Sequence, residues 1–186
     1  TINCLTGDGY TSTNDALVLL ATGASGVDIV NVDSASFRSA LKEVCLFLAQ
    51  AIVRDGEGAT KFIDIQVEQA RSKEEAHTVA NTVALSPLVK TALFASDPNW
   101  GRILAAVGRS PIESLDVSRI SIYLGKTLLV KGGQPSPDYT EAQGKAETSA
   151  AEIKIRIILG RGDALSNVWT CDFSFDYVKI NAEYRS

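Results

Sequence analysis

The chain has 186 residues, of which 45% are hydrophobic and 22% charged, a globular balance that excludes a disordered polypeptide. Eighteen Lys and Arg against 22 Asp and Glu leave a net charge of −4, so the basic face that nucleic acid demands is not available. The length suits one compact domain or two small lobes sharing a core, and the longest apolar runs fall far short of the roughly 20 residues that cross a bilayer. The N-terminal stretch is short and strand-like over 2–5, followed by the turn-rich Gly7-Asp8-Gly9. Five small polar residues, Thr11 to Asp15, then precede an apolar run over 16–21. That run is expected to be a helix capped by Thr13 or Asn14 and ended by Gly23. Phe37, Leu41, Val44, Leu48 and Ile52 recur at spacings of four, three, four and four, which predicts a helix with one apolar stripe. Ser34 or Ser36 is its expected cap, and Gly56 follows its end.

Residues 62–67 read as a β-branched strand. Ser72-Lys73-Glu74-Glu75 is a capping box that predicts a helix running toward Leu85. Ser86-Pro87 and Asp97-Pro98 each place Pro at a helix start, and the second helix is expected to stop at Gly108. From Ser118 onward the period changes to two: Ile120, Ile122 and Leu124, then Ile153 to Leu159, then Trp169, Cys171, Phe173, Phe175 and Tyr177. The stretch 132–149 is poor in apolar residues and is expected to be an exposed connection between strands. Helices thus dominate 1–110 and antiparallel strands 111–186, an α+β fold with helices covering sheet faces.

Residue inventory narrows the chemistry. A single histidine, His77, sits among charges in a polar helix and is expected at the surface, which leaves a Ser-His-Asp triad without its base. Cys4, Cys45 and Cys171 are scattered, with no CxxC pair, so buried thiols in a reducing compartment are expected rather than disulfides. With His77 they also lack the close ligand pairs of a zinc site. The run 56–61 fails the phosphate-loop pattern, and Gly160-Arg161-Gly162 stands between strands rather than at a helix start. Glu57 stands out as a carboxylate between two glycines at a helix-to-strand junction, where backbone can approach a ligand closely. The sequence contains no Met and opens on Thr1, so a processed product or a fragment is expected.

Several segments together resemble the ornithine acetyltransferase family, also called bifunctional glutamate N-acetyltransferase. Asp8-Gly9 with Thr11-Ser12-Thr13-Asn14-Asp15 is similar to the family's DGDTSTND segment, and Glu57-Gly58-Ala59-Thr60-Lys61 to its EG(A/V)TK loop. Leu88 to Phe94 with Ser96 to Arg102 matches its LVKTALFGSDPNWGR stretch nearly letter for letter. Trp169-Thr170, Asp176-Tyr177-Val178 and Ile180 to Ser186 resemble its C-terminal ending. Gly7 replaces the family's Val, Tyr10 its Asp and Ser186 its Thr.

The resemblance implies a layered αββα sandwich like that of N-terminal-nucleophile hydrolases, with different connectivity. It implies a precursor that cuts itself, a new N-terminal threonine as nucleophile, and ping-pong transfer of acetyl from N-acetylornithine to glutamate. Some members also use acetyl-CoA; no metal or tightly held cofactor is implied. The amine beside the threonine hydroxyl would supply the base, so the chemistry needs no histidine. In the family the nucleophile lies in an Ala-Thr-Met-Leu segment upstream of the DGDTSTND motif. Thr1 is therefore not expected to be it, and the chain is expected to be a single β-chain-like unit, incomplete without an upstream segment or a partner. The implied partner is an α-chain of the same precursor in an α2β2 heterotetramer, without nucleic acid or membrane. The implied location is cytoplasmic in a prokaryote and an organelle in a eukaryote. Glu57, Asn181 and Ser186 are the implied substrate contacts, and the C-terminal tail is expected on the same side of the molecule as Glu57. The competing expectation is a catalytically silent structural or regulatory homologue that lacks the nucleophile.

Overall fold

In the computed structural model, which describes residues 2–11, 15–28 and 34–184, six strands form one mixed sheet in the order β4-β3-β2-β5-β1-β6. In chain order the elements are α1 (Ser34–Arg54), β1 (Phe62–Ala70), α2 (Lys73–Ala84), α3 (Pro87–Phe94), α4 (Trp100–Gly108), β2 (Ser121–Leu124) and β3 (Thr127–Lys131). Then come β4 (Gln134–Pro135), α5 (Glu141–Thr148), β5 (Glu152–Ile158), β6 (Ala164–Cys171) and α6 (Phe175–Glu183). Among the described residues no helix is long and apolar enough to cross a membrane.

Alternation along the strands sends the two faces of the sheet to different environments. Ile63, Ile65 and Val67 of β1, Ile153, Ile155 and Ile157 of β5, and Ile122 and Leu124 of β2 are buried together. They pack under Ala76, Val79, Ala80 and Val83 of α2 and Ile103 and Val107 of α4. The alanines of α2 let it approach the sheet closely. Each fully buried Val, Leu or Ile contributes about 1.5–3 kcal/mol relative to exposure, so this layer dominates the stability. The opposite face carries a small apolar cluster at one end, where Phe62 and Cys171 pack with Val53 of α1, and polar pairs beyond it. Arg156 pairs with Glu68 at 2.7 Å, and Asn167 donates to Asp64 at 2.8 Å.

Three strand and helix expectations are corrected. Residues 2–4 form a 3-10 turn rather than a strand, with Leu5 alone bridging Trp169. Residues 16–21 form no helix, and Leu17, Val18, Leu19 and Leu20 are 65–82% exposed. A short apolar helix with no packing partner among the described residues does not repay its nucleation cost. The alternating run over 169–177 is a strand only to Cys171, because Ser174 accepts the Tyr177 N–H at 3.1 Å and starts α6. The expected cap residues Thr13 and Asn14 lie outside the described residues.

Other differences concern detail. Pro98 precedes the first turn of α4 and Asn99 is its cap, accepting from Arg102 N–H at 3.1 Å. Ser34 and Ser36 lie inside the first turn of α1 rather than capping it, and the stripe of that helix faces outward. Only Ala49 and Val53 of α1 are buried. The stretch 132–149 holds β4 and α5, the latter with a full capping box between Thr140 and Gln143. The late strands are not all antiparallel either: β5 runs parallel to β1.

Lys61, just before β1, ties three elements together. Its Nζ donates to the Leu93 carbonyl at 2.6 Å, Ser96 Oγ at 2.7 Å and the Thr148 carbonyl at 2.8 Å. Two of these acceptors are carbonyls from the last turns of α3 and α5, which helix geometry leaves without intrahelical donors. Ser96 is held at φ +53 to close α3, since Asp97 N–H reaches the Ala92 carbonyl and Ser96 N–H the Leu93 carbonyl. Replacing Lys61 by Met is expected to lower the unfolding free energy by roughly 2–3 kcal/mol, read from urea titration of the intact protein. Lys61→Arg should recover little, because a planar fork cannot place one nitrogen among three converging acceptors. An unchanged urea midpoint in Lys61→Met would count against the strap.

Candidate functional site

The register of β1 and β6 pairs Phe62 with Cys171, which sets Asp172 beside Thr60 and Lys61. Asp172 is 1% exposed. Its Oδ1 accepts the Thr60 N–H at 2.8 Å and the Lys61 N–H at 2.9 Å, and its Oδ2 accepts the Thr60 hydroxyl at 2.5 Å. A buried carboxylate needs such partners to offset lost hydration. The loop carrying Glu57 is thereby fixed at its far end.

At its near end the loop rests on α6. Gly58 adopts φ +64, and a Cβ there would collide with the backbone of Asp176 and Tyr177. Only glycine permits this approach. Ser174 Oγ donates to the Gly58 carbonyl at 2.5 Å. Tyr177 stacks on Phe173 with ring centroids 4.4 Å apart. One turn further along α6, Asn181 Nδ2 donates to Glu57 Oε2 at 3.1 Å and to the Tyr177 carbonyl at 2.9 Å. The structure therefore brings Glu57 and Asn181 together at an exposed edge, on one side of the molecule. The third sequence candidate, Ser186, lies outside the described residues, as does Thr1.

Beneath this pair lies a buried amine. Lys90 of α3 is 1% exposed, and its Nζ donates to Thr170 Oγ1 at 2.8 Å and to the Cys171 carbonyl. It also sits 4.4 Å from the Phe173 ring centroid. Burial pushes its pKa below the ordinary lysine value, against the opposing pull of Cys171, Asp172 and Asp8. Burial likewise pushes the Cys171 thiol up, and the Tyr177 phenol up, the latter helped by Asp8 and Glu57. Asp8 thus belongs to the same neighbourhood. Its loop lies against the residue that ends α2, where a Cβ on Gly9 would press on Leu85. Lys61 is spent on the strap and offers no base to the site. His77 is half-buried on α2, with Asn3 and Cys4, away from Glu57. Among the described residues no cluster of three or more His, Cys, Asp or Glu could hold a metal ion.

The sequence profile of the ArgJ family matches residues 1–186. The chain belongs to the ArgJ family. It is 56% identical over 187 residues to the arginine biosynthesis bifunctional protein ArgJ of Methylococcus capsulatus, covering 99% of this chain and 46% of that one. It is 53% identical over 188 residues to the protein of the same name from Pseudomonas fluorescens, with the same coverage. The crystal structure of the arginine biosynthesis bifunctional protein argJ from Bacillus halodurans superposes with a TM-score of 0.92 at 40% identity, over 99% of this chain and 87% of that one. The α+β layering is therefore that of an ArgJ structure. The chain spans about half the length of the curated relatives it matches.

Within this ArgJ-family chain, sequence reasoning missed Asp172, Ser174 and Lys90 as members of the site. Lys90 carried a signal: it is the one charge in the apolar α3, next to Val89 and three residues before Leu93. Its depressed pKa has a definite consequence. Between its lowered folded value and the ordinary 10.5, the unfolded chain binds a proton that the folded chain does not. Stability from this group is full above the ordinary value and is lost as pH falls through the folded one. The urea midpoint of the wild type should therefore gain on that of Lys90→Met as pH rises through that alkaline window. A difference independent of pH would contradict it.

Proposed function

We propose that this chain supplies the substrate-holding part of an acetyltransferase of arginine biosynthesis, moving acetyl from N-acetylornithine to glutamate. The observation that carries the proposal is the 3.1 Å contact between Glu57 and Asn181, which stand 124 positions apart in the chain. The Glu57 carboxylate offers a charge for an amino-acid ammonium and Asn181 Oδ1 a second acceptor for it, while both Asn181 Nδ2 protons are held by Glu57 and the Tyr177 carbonyl. N-acetylornithine presents its side-chain ammonium, since its α-nitrogen is acylated, and glutamate presents its α-amine. Ser186 would add a hydroxyl to the same site.

The nucleophile in this account is a threonine on a companion part of the protein. Its hydroxyl attacks the acetyl carbonyl of N-acetylornithine while the neighbouring amine takes the proton. The C–N bond then breaks, the departing amine receives that proton, and ornithine leaves an acetyl ester on the threonine. The free amine of glutamate attacks the ester, and the C–O bond to threonine breaks to release N-acetylglutamate. The proton lost by the glutamate nitrogen passes through the neighbouring amine to the threonine oxygen. Glu57 and Asn181 contribute by holding N-acetylornithine with its acetyl group toward the threonine hydroxyl, and then glutamate with its amine toward the ester. In the intact protein, Glu57→Gln is expected to lower kcat/KM for N-acetylornithine by about one to three orders of magnitude, what a charged contact supplies. Wild-type kinetics in that variant would refute the role. An intact protein with no acetyl transfer at all would favour the silent homologue.

The companion part is supported by surface. Phe47 and Ile52 of α1 are 72% and 57% exposed, and Phe175 and Val178 of α6 are 81% and 61% exposed. With the exposed run at Leu17 to Leu20, these large apolar side chains face solvent, the kind of surface that a partner covers. We expect it to be covered by an α part of the same precursor, in an α2β2 assembly. The isolated 186-residue chain should bind apolar dye and self-associate in sedimentation, and the assembled protein should do neither. A monodisperse, dye-free monomer would contradict this.

A further inference from the structure

One hydroxyl joins the two elements that carry Glu57 and Asn181. Ser174, between β6 and α6, is buried at 4% exposure. Its Oγ accepts the Tyr177 N–H at 3.1 Å as the cap of α6 and donates to the Gly58 carbonyl at 2.5 Å. A serine hydroxyl has one proton and two lone pairs, so both bonds are made at once. An ordinary N-cap serves only its own helix. This one also fastens a loop from the far side of the sequence.

The fastening matters because α6 has little else to hold it. None of its residues is buried, and a nine-residue helix is marginal by itself. Besides the Asn181–Glu57 bond at its far end, what fixes it lies at its first turn: the Ser174 bonds, the stack of Tyr177 on Phe173, and the edge of Phe175 against Phe94 at 5.4 Å. Asn181 is carried at the other end. If the first turn swings, Asn181 moves relative to Glu57.

We infer that Ser174 is a positioning residue: by tying Gly58 to the first turn of α6, it sets the separation of Glu57 from Asn181 and hence the grip on the substrate. The inference rests on the substrate-holding role proposed above for that pair. Its test uses the intact protein with Ser174→Ala, Ser174→Thr, Glu57→Gln and the Ser174→Ala/Glu57→Gln double variant. Two quantities are read: hydrogen exchange at the Tyr177 amide, and KM and kcat for N-acetylornithine. Ser174→Ala should speed that exchange at least about tenfold and raise KM about tenfold, with kcat changed less than about threefold. Ser174→Thr keeps the hydroxyl and should restore both. In the Glu57→Gln background, Ser174→Ala should leave KM unchanged, because the group it positions has gone. Independent, multiplicative effects on KM, or unchanged exchange in Ser174→Ala, would overturn the inference. If Ser174→Thr is too bulky to fold, the double variant decides. Should the wild-type protein transfer no acetyl while Tyr177 exchange still depends on Ser174, the acetyltransferase proposal falls and the tie between loop and helix is upheld.

Discussion

Asp172 stands at the end of β6 with both carboxylate oxygens turned into the protein, and three donors from Thr60 and Lys61 meet them. Hydrogen bonds to a charged group contribute about 1.5–3 kcal/mol each, and together they offset the cost of burying the carboxylate. The position follows from register. Because Phe62 pairs with Cys171, the residue before one strand must meet the residue after the other. Lys61 then turns its side chain to the ends of α3 and α5, while Lys90 fills the space beneath and holds the Cys171 carbonyl. The loop that carries Glu57 hangs at one end from this junction, and Ser174 holds it at the other.

Parts of this arrangement were legible in the sequence because local chemistry and tertiary packing agree there. Ser72 caps α2 and Ser86 caps α3, as their spacing to the following turns demands. The alternation in β1 and β5 matches a sheet covered on one face by helices. Glu57 was conspicuous because two glycines flank it, and Gly58 does allow a close backbone approach. The pairing of Glu57 with Asn181 came from motif resemblance, since no local pattern links residues so far apart.

Elsewhere two periods competed for the same letters. Trp169, Cys171, Phe173, Phe175 and Tyr177 alternate as a strand would, yet Phe173 and Tyr177 are also an i, i+4 pair. Ser174, followed by Asp176 in the first turn, decided for the helix. In α1 the stripe was identified but not its direction, because amphipathicity says that a face is covered and not by what. The run over 16–21 fails for the same reason: its apolar side chains have no partner among the described residues, so local propensity had nothing to act on. Asp172 was hidden because a buried carboxylate leaves no periodic trace and two of its three donors are backbone N–H groups. Lys90 showed only as a lone charge in an apolar helix, and its partners Thr170 and the Cys171 carbonyl are distant in sequence.

The site therefore depends less on the exposed pair that would touch a substrate than on the buried junction beneath it. That dependence is open to direct observation through the amide protons of Thr60 and Lys61 in the intact protein. If Asp172 holds them as described, both should exchange only when the whole fold opens, with protection tracking the global unfolding free energy as urea is added. Fast exchange of these two amides at low urea, while β1 and β5 stay protected, would show a loose loop and contradict the account.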